Sequence, residues 1–291
     1  METKISSQSK EVIISDDRPT VLIGERINPA GKKKLAESLK AGNMDVVRKE
    51  ALEQVKAGAD ILDVNVTVFG IDETPILPLA VRTVMEVTDV PICIDSVNAA
   101  ALKAALKIYK GKPLINSVSG EERSLEKVLP LVKEYGTAVV GLTQDDNGIP
   151  KDAATRVAIA EKIVNRAAQM GIPAQDIIID CLALAIGADP LSAVTVLQTI
   201  REIKARLGVN MTLGASNISF GMPDRMYINT CYLAMTIAAG VTCPVVDVAK
   251  IRAYILGTDL LLARDKRARR YIQAFRERTA AADHASPAAK A

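Results

Sequence analysis

The chain has 291 residues, of which 49% are hydrophobic and 24% charged, and a formal net charge of +3. No apolar run approaches the roughly 20 residues that span a bilayer, and residues 1–17 lack the pattern of a secretory signal, so we expect a cytoplasmic protein without membrane segments. With three Phe and no Trp there is little surface for stacking bases, which argues against nucleic-acid binding.

In chain order, short β-rich runs alternate with longer amphipathic stretches, several of which end in Gly. The predicted strands are 20–24, 60–64, 91–95, 113–117, 138–142, 176–180, 211–215 and 244–248. Eight such βα units predict a single (β/α)8 TIM barrel over residues 18–280, with a flexible N-terminal segment (1–17) and a disordered C-terminal tail (281–291). No GxGxxG follows the first strand, so an open dinucleotide-binding sheet is disfavoured.

The single histidine, His284, lies in an Ala-rich stretch. This position argues against a His-centred metal site, a Ser-His-Asp triad and a Cys-His pair. The four cysteines are widely separated without a CxxC pair, and we interpret them as reduced thiols. We therefore expect no metal site, and chemistry that depends on carboxylates, amides, hydroxyls or a cofactor.

Polar side chains follow nearly every predicted strand, at the end where barrel enzymes carry their active sites. Such residues can equally cap the next helix, an interpretation that suits Ser96 and Ser119. Four of them directly end apolar runs and are expected to point into the barrel mouth: Asp95, Asn116, Asp180 and Asn217. Buried carboxylates and amides there need partners. A flat heterocycle with N–H donors and carbonyl acceptors, such as a pterin, would supply them.

Six segments carry a resemblance to a known family. GERINPAGKK, AGADILDVNV, CIDSVNAAALKAAL, INSVSGEE, IIIDCLALAIG and GASNISFGMPDR resemble, in this order, the methyltetrahydrofolate:corrinoid protein methyltransferases of the pterin-binding family. The chain is also similar to the folate domain of cobalamin-dependent methionine synthase. The resemblance covers about residues 18–265. It implies an enzyme that moves a methyl group between N5 of tetrahydrofolate and the cobalt of a corrinoid (cobalamin) protein, and it implies a homodimer.

The resemblance also assigns roles to residues. It implies pterin contacts at Asp95, Asn116 and Asp180, and a hydrogen bond from Asn217 to N5, the nitrogen that bears the methyl group. The remaining pocket residues that it suggests are Asn28, Asp63, Asn65 and Ser219. Because the chain has no D-x-H-x-x-G corrinoid motif, the corrinoid is expected on a separate partner protein.

Three alternatives stay open. Dihydropteroate synthases of the same family carry N-T-P-D-S-F where this chain has RINPAG, and late Lys and S-x-R motifs that are not found here. A Schiff-base aldolase would need a lysine inside a strand. A non-catalytic folate-binding subunit would bind the substrate and transfer nothing.

Two basic segments also have open interpretations. The segment 264–278 either attracts an acidic partner or, as we favour, is a solvated helix face. The lysines 32–34 either meet the glutamate tail of folate or lie in a solvated loop.

Overall fold

The protein forms a closed barrel of eight parallel strands, as predicted from the sequence. The structure, a computed structural model, describes residues 1–285, with side chains described to residue 280. The barrel strands are β3 (Ile23–Ile27), β4 (Ile61–Asn65), β5 (Ile92–Asp95), β6 (Leu114–Ser119), β7 (Ala138–Leu142), β8 (Ile177–Asp180), β9 (Asn210–Thr212) and β10 (Val245–Val246). Strands β3 to β9 pair in chain order, and β10 pairs with β3. A parallel bridge between Gly214 and Val245 closes the ring.

Helices surround the strands in the order expected of βα units. They are α1 (Lys33–Lys40), α2 (Asp45–Ala57), α3 (Glu73–Val87), α4 (Ala99–Ile108), α5 (Glu122–Tyr135), α6 (Ala153–Gln169), α7 (Ser192–Arg206), α8 (Arg225–Ala239), α9 (Val248–Leu261) and α10 (Arg269–Ala285). Helix α5 illustrates their pattern: Leu125, Val128 and Val132 recur at helical spacing on its buried face. It ends at Gly136, whose φ of 61° favours glycine. Among the described residues, no helix has both the length and the apolarity to cross a membrane.

The first barrel strand begins three residues later than predicted. Two carboxylates hold the residues ahead of it. Asp259 accepts from the Thr20 N–H at 2.9 Å, and Asp60 accepts from the Leu22 N–H at 2.9 Å. Glu25 and Arg26 therefore belong to β3 itself. At the other end of the sheet, β10 is shorter than predicted, because Asp247 already stands at the N-cap of α9.

Residues 1–17, which the sequence predicts to be flexible, contain an antiparallel hairpin instead. It consists of β1 (Thr3–Ser6) and β2 (Glu11–Ile14). Ile5 and Ile14 are fully buried and pack among interior-facing strand residues. The Asn210 side chain donates to the Thr3 hydroxyl at 2.9 Å and to the Ile14 carbonyl at 3.0 Å. The hairpin therefore closes the bottom of the barrel, where the strands begin. The alternating apolar residues of the hairpin are the ones that pack against the barrel interior. Of the predicted disordered tail (281–291), residues 281–285 are instead helical, at the end of the last helix, and residues 286–291 lie outside the described part.

The basic segment 264–278 starts at the bottom of the barrel, away from the mouth. Arg264 donates to the Thr20 hydroxyl at 3.4 Å, and Arg270 lies 3.8 Å from the Asp60 carboxylate. Thr20 and Asp60 both precede their barrel strands. A partner attracted to this end of the segment would not meet the C-terminal ends of the strands.

Candidate active site

A row of polar side chains crosses three adjacent strands at the barrel mouth. Asn65, Asp95 and Asn116 are register neighbours on β4, β5 and β6. The Asn65 amide donates to Oδ2 of Asp95 at 2.9 Å. This bond orients the carboxylate and leaves its second oxygen available to accept from a ligand.

Asp63 lies below this row and acts on Asn116. Its side chain is 3% exposed, and its Oδ1 accepts from the Asn116 amide at 3.2 Å. With its NH₂ group turned toward Asp63, Asn116 has its carbonyl oxygen left for a ligand donor. Burial, helped by repulsion from Asp95, raises the pKa of Asp63 well above its usual value. The sequence had grouped Asp63 with the pocket residues, whereas here its carboxylate is bonded beneath the row.

Asp95 and Asp180 are carboxylates held in poorly solvated surroundings. Burial raises the pKa of Asp95 to about 6, with a smaller contribution from Glu73 and an opposing hydrogen bond from Asn65. Burial likewise raises the pKa of Asp180 to about 6, although its Oδ1 accepts from the Leu182 N–H at 2.7 Å. Both groups are mainly ionised at neutral pH, so they act as strong acceptors that have few partners of their own.

Asn217 lies across the mouth, in a 3-10 turn (Ala215–Ser219) that follows β9. Its side chain is exposed and has no hydrogen-bond partner among the described residues. The absence of a side chain at Gly214 gives the amide its space, because a Cβ there would lie 3.0 Å from the Asn217 Nδ2. Ser219 is buried under the turn, where its hydroxyl donates to the Ser216 carbonyl and accepts from Arg225 at 3.0 Å. Ser219 therefore holds the turn that presents Asn217.

A cavity of about 530 Å³ opens beside Asn217. Its lining combines charged and polar residues from β3, the 3-10 turn, α8 and the start of α9. They are Glu25, Arg26, Asn28, Ala30, Lys32, Ser216, Asn217, Arg225, Met226, Asn229, Asp247, Lys250 and Ile251. Asn28, a predicted pocket residue, uses its Oδ1 to accept from the Ala30 N–H at 2.9 Å. Lys32 is one of the three lysines for which the sequence left a contact with the folate tail open, whereas Arg225 was not singled out, because only the fold of the loops brings the two together.

Glu25, which directly follows the first predicted strand, is an acidic member of the cavity wall. Burial raises its pKa, and a 3.2 Å hydrogen bond from Ser216 partly opposes this effect. The side chain therefore links β3 to the turn that carries Asn217. In the structure Glu25 belongs to β3 itself rather than to the loop that follows it.

Ser96 and Ser119 have local structural contacts. The Ser96 hydroxyl donates to the buried Glu73 carboxylate and accepts from the Asn98 N–H at 3.0 Å. Asn98, rather than Ser96, is the N-cap of α4. The Ser119 hydroxyl accepts from the Glu121 N–H at 3.4 Å, just before α5. Both serines stabilise the connection from strand to helix.

Comparisons with known proteins identify a family and several relatives. A family model described as pterin binding enzyme matches residues 24–247. The chain is 31% identical over 267 residues to methylcorrinoid:tetrahydrofolate methyltransferase from Eubacterium limosum, a match that covers 88% of this chain and 96% of that protein. It is 32% identical over 263 residues to methionine synthase from Mycobacterium tuberculosis, covering 86% of this chain but only 22% of the length of that relative.

Solved structures with the same fold include dihydropteroate synthases. The enzyme from Yersinia pestis superimposes with a TM-score of 0.70 at 16% identity, covering 90% of this chain and 99% of the other. The enzyme from Thermus thermophilus gives a TM-score of 0.66 at 23% identity, covering 89% and 99%. At these sequence identities the similarity shows that the barrel fold is shared, and nothing about function.

Proposed function

The chain belongs to the pterin binding enzyme family, and from this premise we propose that it is a methyltransferase that moves a methyl group between N5 of tetrahydrofolate and the cobalt of a separate corrinoid protein. The name of the Eubacterium relative contains both substrates, which supports the proposal. The observation that carries the proposal is the arrangement of Asp95, Asn116, Asp180 and Asn217 around one barrel mouth.

In this proposal the acceptors hold the ring. The oxygens left free on Asp95, Asn116 and Asp180 would accept from the N–H groups of the amino-pyrimidinone edge of a pterin. These three residues lie on β5, β6 and β8, so they would fix the ring from one side of the mouth. Asn65 and Asp63 would act one step removed, since each orients one of these side chains through the bonds described above.

Asn217 would act on the reacting atom. Displacement at the methyl carbon requires N5 to leave with its electron pair, and an amine nitrogen leaves poorly unless positive charge or a hydrogen bond stabilises it. The unpartnered Asn217 amide can donate to N5 and strengthen that bond as charge develops. The corrinoid is the second substrate, and its reduced cobalt supplies the nucleophile. Asn28 and Ser219 would complete the pocket indirectly, as supports of the β3 loop and of the 3-10 turn.

A protein-borne corrinoid has to approach over the mouth, and exposed apolar side chains surround it. Phe69, Val97, Leu191 and Phe220 lie in loops after β4, β5, β8 and β9, and each is more than half exposed. Because these loops follow the C-terminal strand ends, the four side chains lie on the face that carries the row. Exposed apolar groups of this kind are typical of surfaces that contact partners, which supports docking of the corrinoid protein here.

Two features of assembly and location go with the proposal. Helices α8 and α9 are neighbours and expose Met235, Tyr254 and Leu261, the last at 89%, which supports a homodimer through this face. All four cysteines are free and three are buried, as expected of a protein in the reducing cytoplasm.

Anaerobic absorbance spectroscopy tests the reaction. The purified protein is mixed with methyltetrahydrofolate and reduced cobalamin, and the reverse reaction is run with methylcobalamin and tetrahydrofolate, since the name of the Eubacterium relative gives a methylcorrinoid as its substrate. We expect a change in cobalamin absorbance that requires enzyme in either direction.

The alternative functions predict different results in this assay and in two further ones. A folate-binding subunit would bind methyltetrahydrofolate in calorimetry yet leave the spectrum of free cobalamin and of corrinoid proteins unchanged. A dihydropteroate synthase would consume a pterin pyrophosphate with p-aminobenzoate. The Schiff-base aldolase is disfavoured because none of the strands β3 to β10 contains a lysine.

A further inference from the structure

The cavity beside Asn217 contains four cationic side chains, two of which are paired with acids of the protein. Arg26 forms two hydrogen bonds of 3.1 Å with the Glu50 carboxylate. Lys250 lies 2.9 Å from the Asp247 carboxylate. These pairs are compensated within the fold and need no ligand.

Lys32 and Arg225 differ, because neither has a carboxylate oxygen within 4 Å among the described side chains. The Lys32 Nζ donates to the Arg26 carbonyl at 2.6 Å. Arg225 donates to the Ser216 carbonyl at 2.7 Å and lies 5.9 Å from the centre of the Phe220 ring. Partial burial, helped by the Arg26 charge, lowers the pKa of Lys32. A bound anion would relieve this cost.

The chemistry of folate indicates which anion fits. In tetrahydrofolate the p-aminobenzoyl-glutamate tail starts at C6, the ring carbon bonded to N5. If N5 lies at Asn217, the tail leaves the ring beside Asn217, and this residue also lines the cavity. The glutamate carboxylates would then meet cations that lack acidic partners.

We propose that Lys32 and Arg225 bind the glutamate carboxylates of the folate, so that the enzyme selects glutamylated folates over the same pterin without glutamate. The inference rests on the proposed function, since it assumes that N5 lies at Asn217. It also assigns different roles to neighbouring lysines of the run 32–34, because Lys32 lines the cavity. Lys33 lies in α1 at 89% side-chain exposure, pairs with Glu37 at 3.8 Å, and does not line the cavity.

The test combines truncation of the ligand with a change in the protein. Initial rates are measured with methyltetrahydrofolate, its triglutamate, and 5-methyltetrahydropteroate, which lacks glutamate. The variant Lys32→Gln keeps a donor for the Arg26 carbonyl and removes the charge. The control is Lys33→Gln, the same change one residue away.

We expect Lys32→Gln to raise KM about two- to fivefold for the glutamylated donors, as for a partly exposed ion pair. It should leave KM for methyltetrahydropteroate and all kcat values unchanged, and Lys33→Gln should match the parent protein. Added salt should raise KM for the glutamylated donors in the parent protein and much less in Lys32→Gln.

The outcomes distinguish the two proposals. If the parent protein methylates cobalamin but uses methyltetrahydropteroate and methyltetrahydrofolate with equal KM, the tail site is wrong and the methyltransferase proposal stands. An equal rise in KM for all donors in Lys32→Gln would also overturn the tail site, since it would indicate a change in the loop. Absence of any methyl transfer with every donor would overturn the proposed function itself.

Discussion

At the scale of single residues, the site depends on carboxylates kept in surroundings that disfavour their charge. The pKa values of Asp95 and Asp180 both rise to about 6, chiefly through burial. Ionising such a group lowers the free energy of unfolding, because burial removes the water that would otherwise solvate the charge. A bound pterin would provide N–H donors to these oxygens, so ligand binding and stability are coupled through the same atoms.

Asp180→Asn should therefore stabilise the protein while weakening folate binding. The folded-state pKa of Asp180 is raised, so its ionisation lowers stability as pH rises from about 4 to about 6, and the full cost, about 1–3 kcal/mol, remains above pH 6. Asparagine can keep the bond to the Leu182 N–H. Urea unfolding should show a more stable variant at pH 7.5 and a much smaller difference at pH 4. A variant less stable than the parent protein at pH 7.5 would contradict this account.

Asn217→Ala should reduce turnover far more than binding. The amide is proposed to strengthen its bond to N5 only as charge develops, and loss of such a donor reduces kcat by about 10²–10³. Stopped-flow measurement of cobalamin methylation gives kcat, and calorimetry gives the Kd of methyltetrahydrofolate, which should change by no more than a few-fold. Normal turnover in this variant would show that the role assigned to Asn217 is wrong.

The sequence located the main candidate residues but not their contacts. Asp95, Asn116 and Asp180 could be found because each directly ends an apolar run that forms a strand. The burial of Asp63 beneath Asn116 could not, because the two are 53 positions apart in the chain and meet only through strand register. Asp63 was among the predicted pocket residues because the family resemblance suggested it.

At the scale of elements, the link between β9 and α8 carries Asn217, the residue proposed to act on N5. The sequence predicted a strand over 211–215, whereas β9 ends at Thr212 and a 3-10 turn begins at Ala215. The run MTLGA is apolar enough to suggest a longer strand. However, Gly214 forms only an isolated bridge to Val245, and the chain then turns. The length of β9 therefore depends on its pairing with β10 at the closure of the barrel, and the local sequence pattern carries no information about that pairing.

Gly214→Ala tests this link without replacing Asn217. The φ of −76° at Gly214 suits alanine, so the backbone should keep its conformation. The added Cβ would lie 3.0 Å from the Asn217 Nδ2 and would displace that amide by a few tenths of an ångström. We expect kcat to fall about tenfold or more, as for small displacements of a reacting group, with the thermal midpoint nearly unchanged. A drop in the midpoint with unchanged kcat would assign Gly214 to folding only.

At the scale of the whole molecule, two of the exposed apolar regions are proposed to meet different partners. One is the set of loop residues around the mouth, and the other is the outer face of α8 and α9. The first is proposed to meet a corrinoid protein and the second another copy of the chain. Because they lie at the mouth and on the side of the barrel, both can be occupied at once.

Met235→Lys combined with Leu261→Lys should convert the protein from dimer to monomer. Both side chains are more than half exposed, and charge in an apolar interface disfavours association. Analytical ultracentrifugation at micromolar concentration measures the change. Leu79→Lys, on the exposed side of α3, is the matched control and should stay dimeric. A monomeric parent protein at the same concentration would rule out this interface.

The hairpin at the bottom of the barrel has a consequence for how the chain is made. Its strands precede the barrel strands in the chain, and their partners lie far from them in sequence: the Lys112 carbonyl accepts from the Ser6 N–H at 2.8 Å, and Asn210 bonds to Thr3 across 207 positions. The bond to Asn210 therefore cannot form until β9 has been synthesised. Contacts of such long range form late in folding. The hairpin is thus made before the barrel strands that it covers, and we expect it to dock among the last elements.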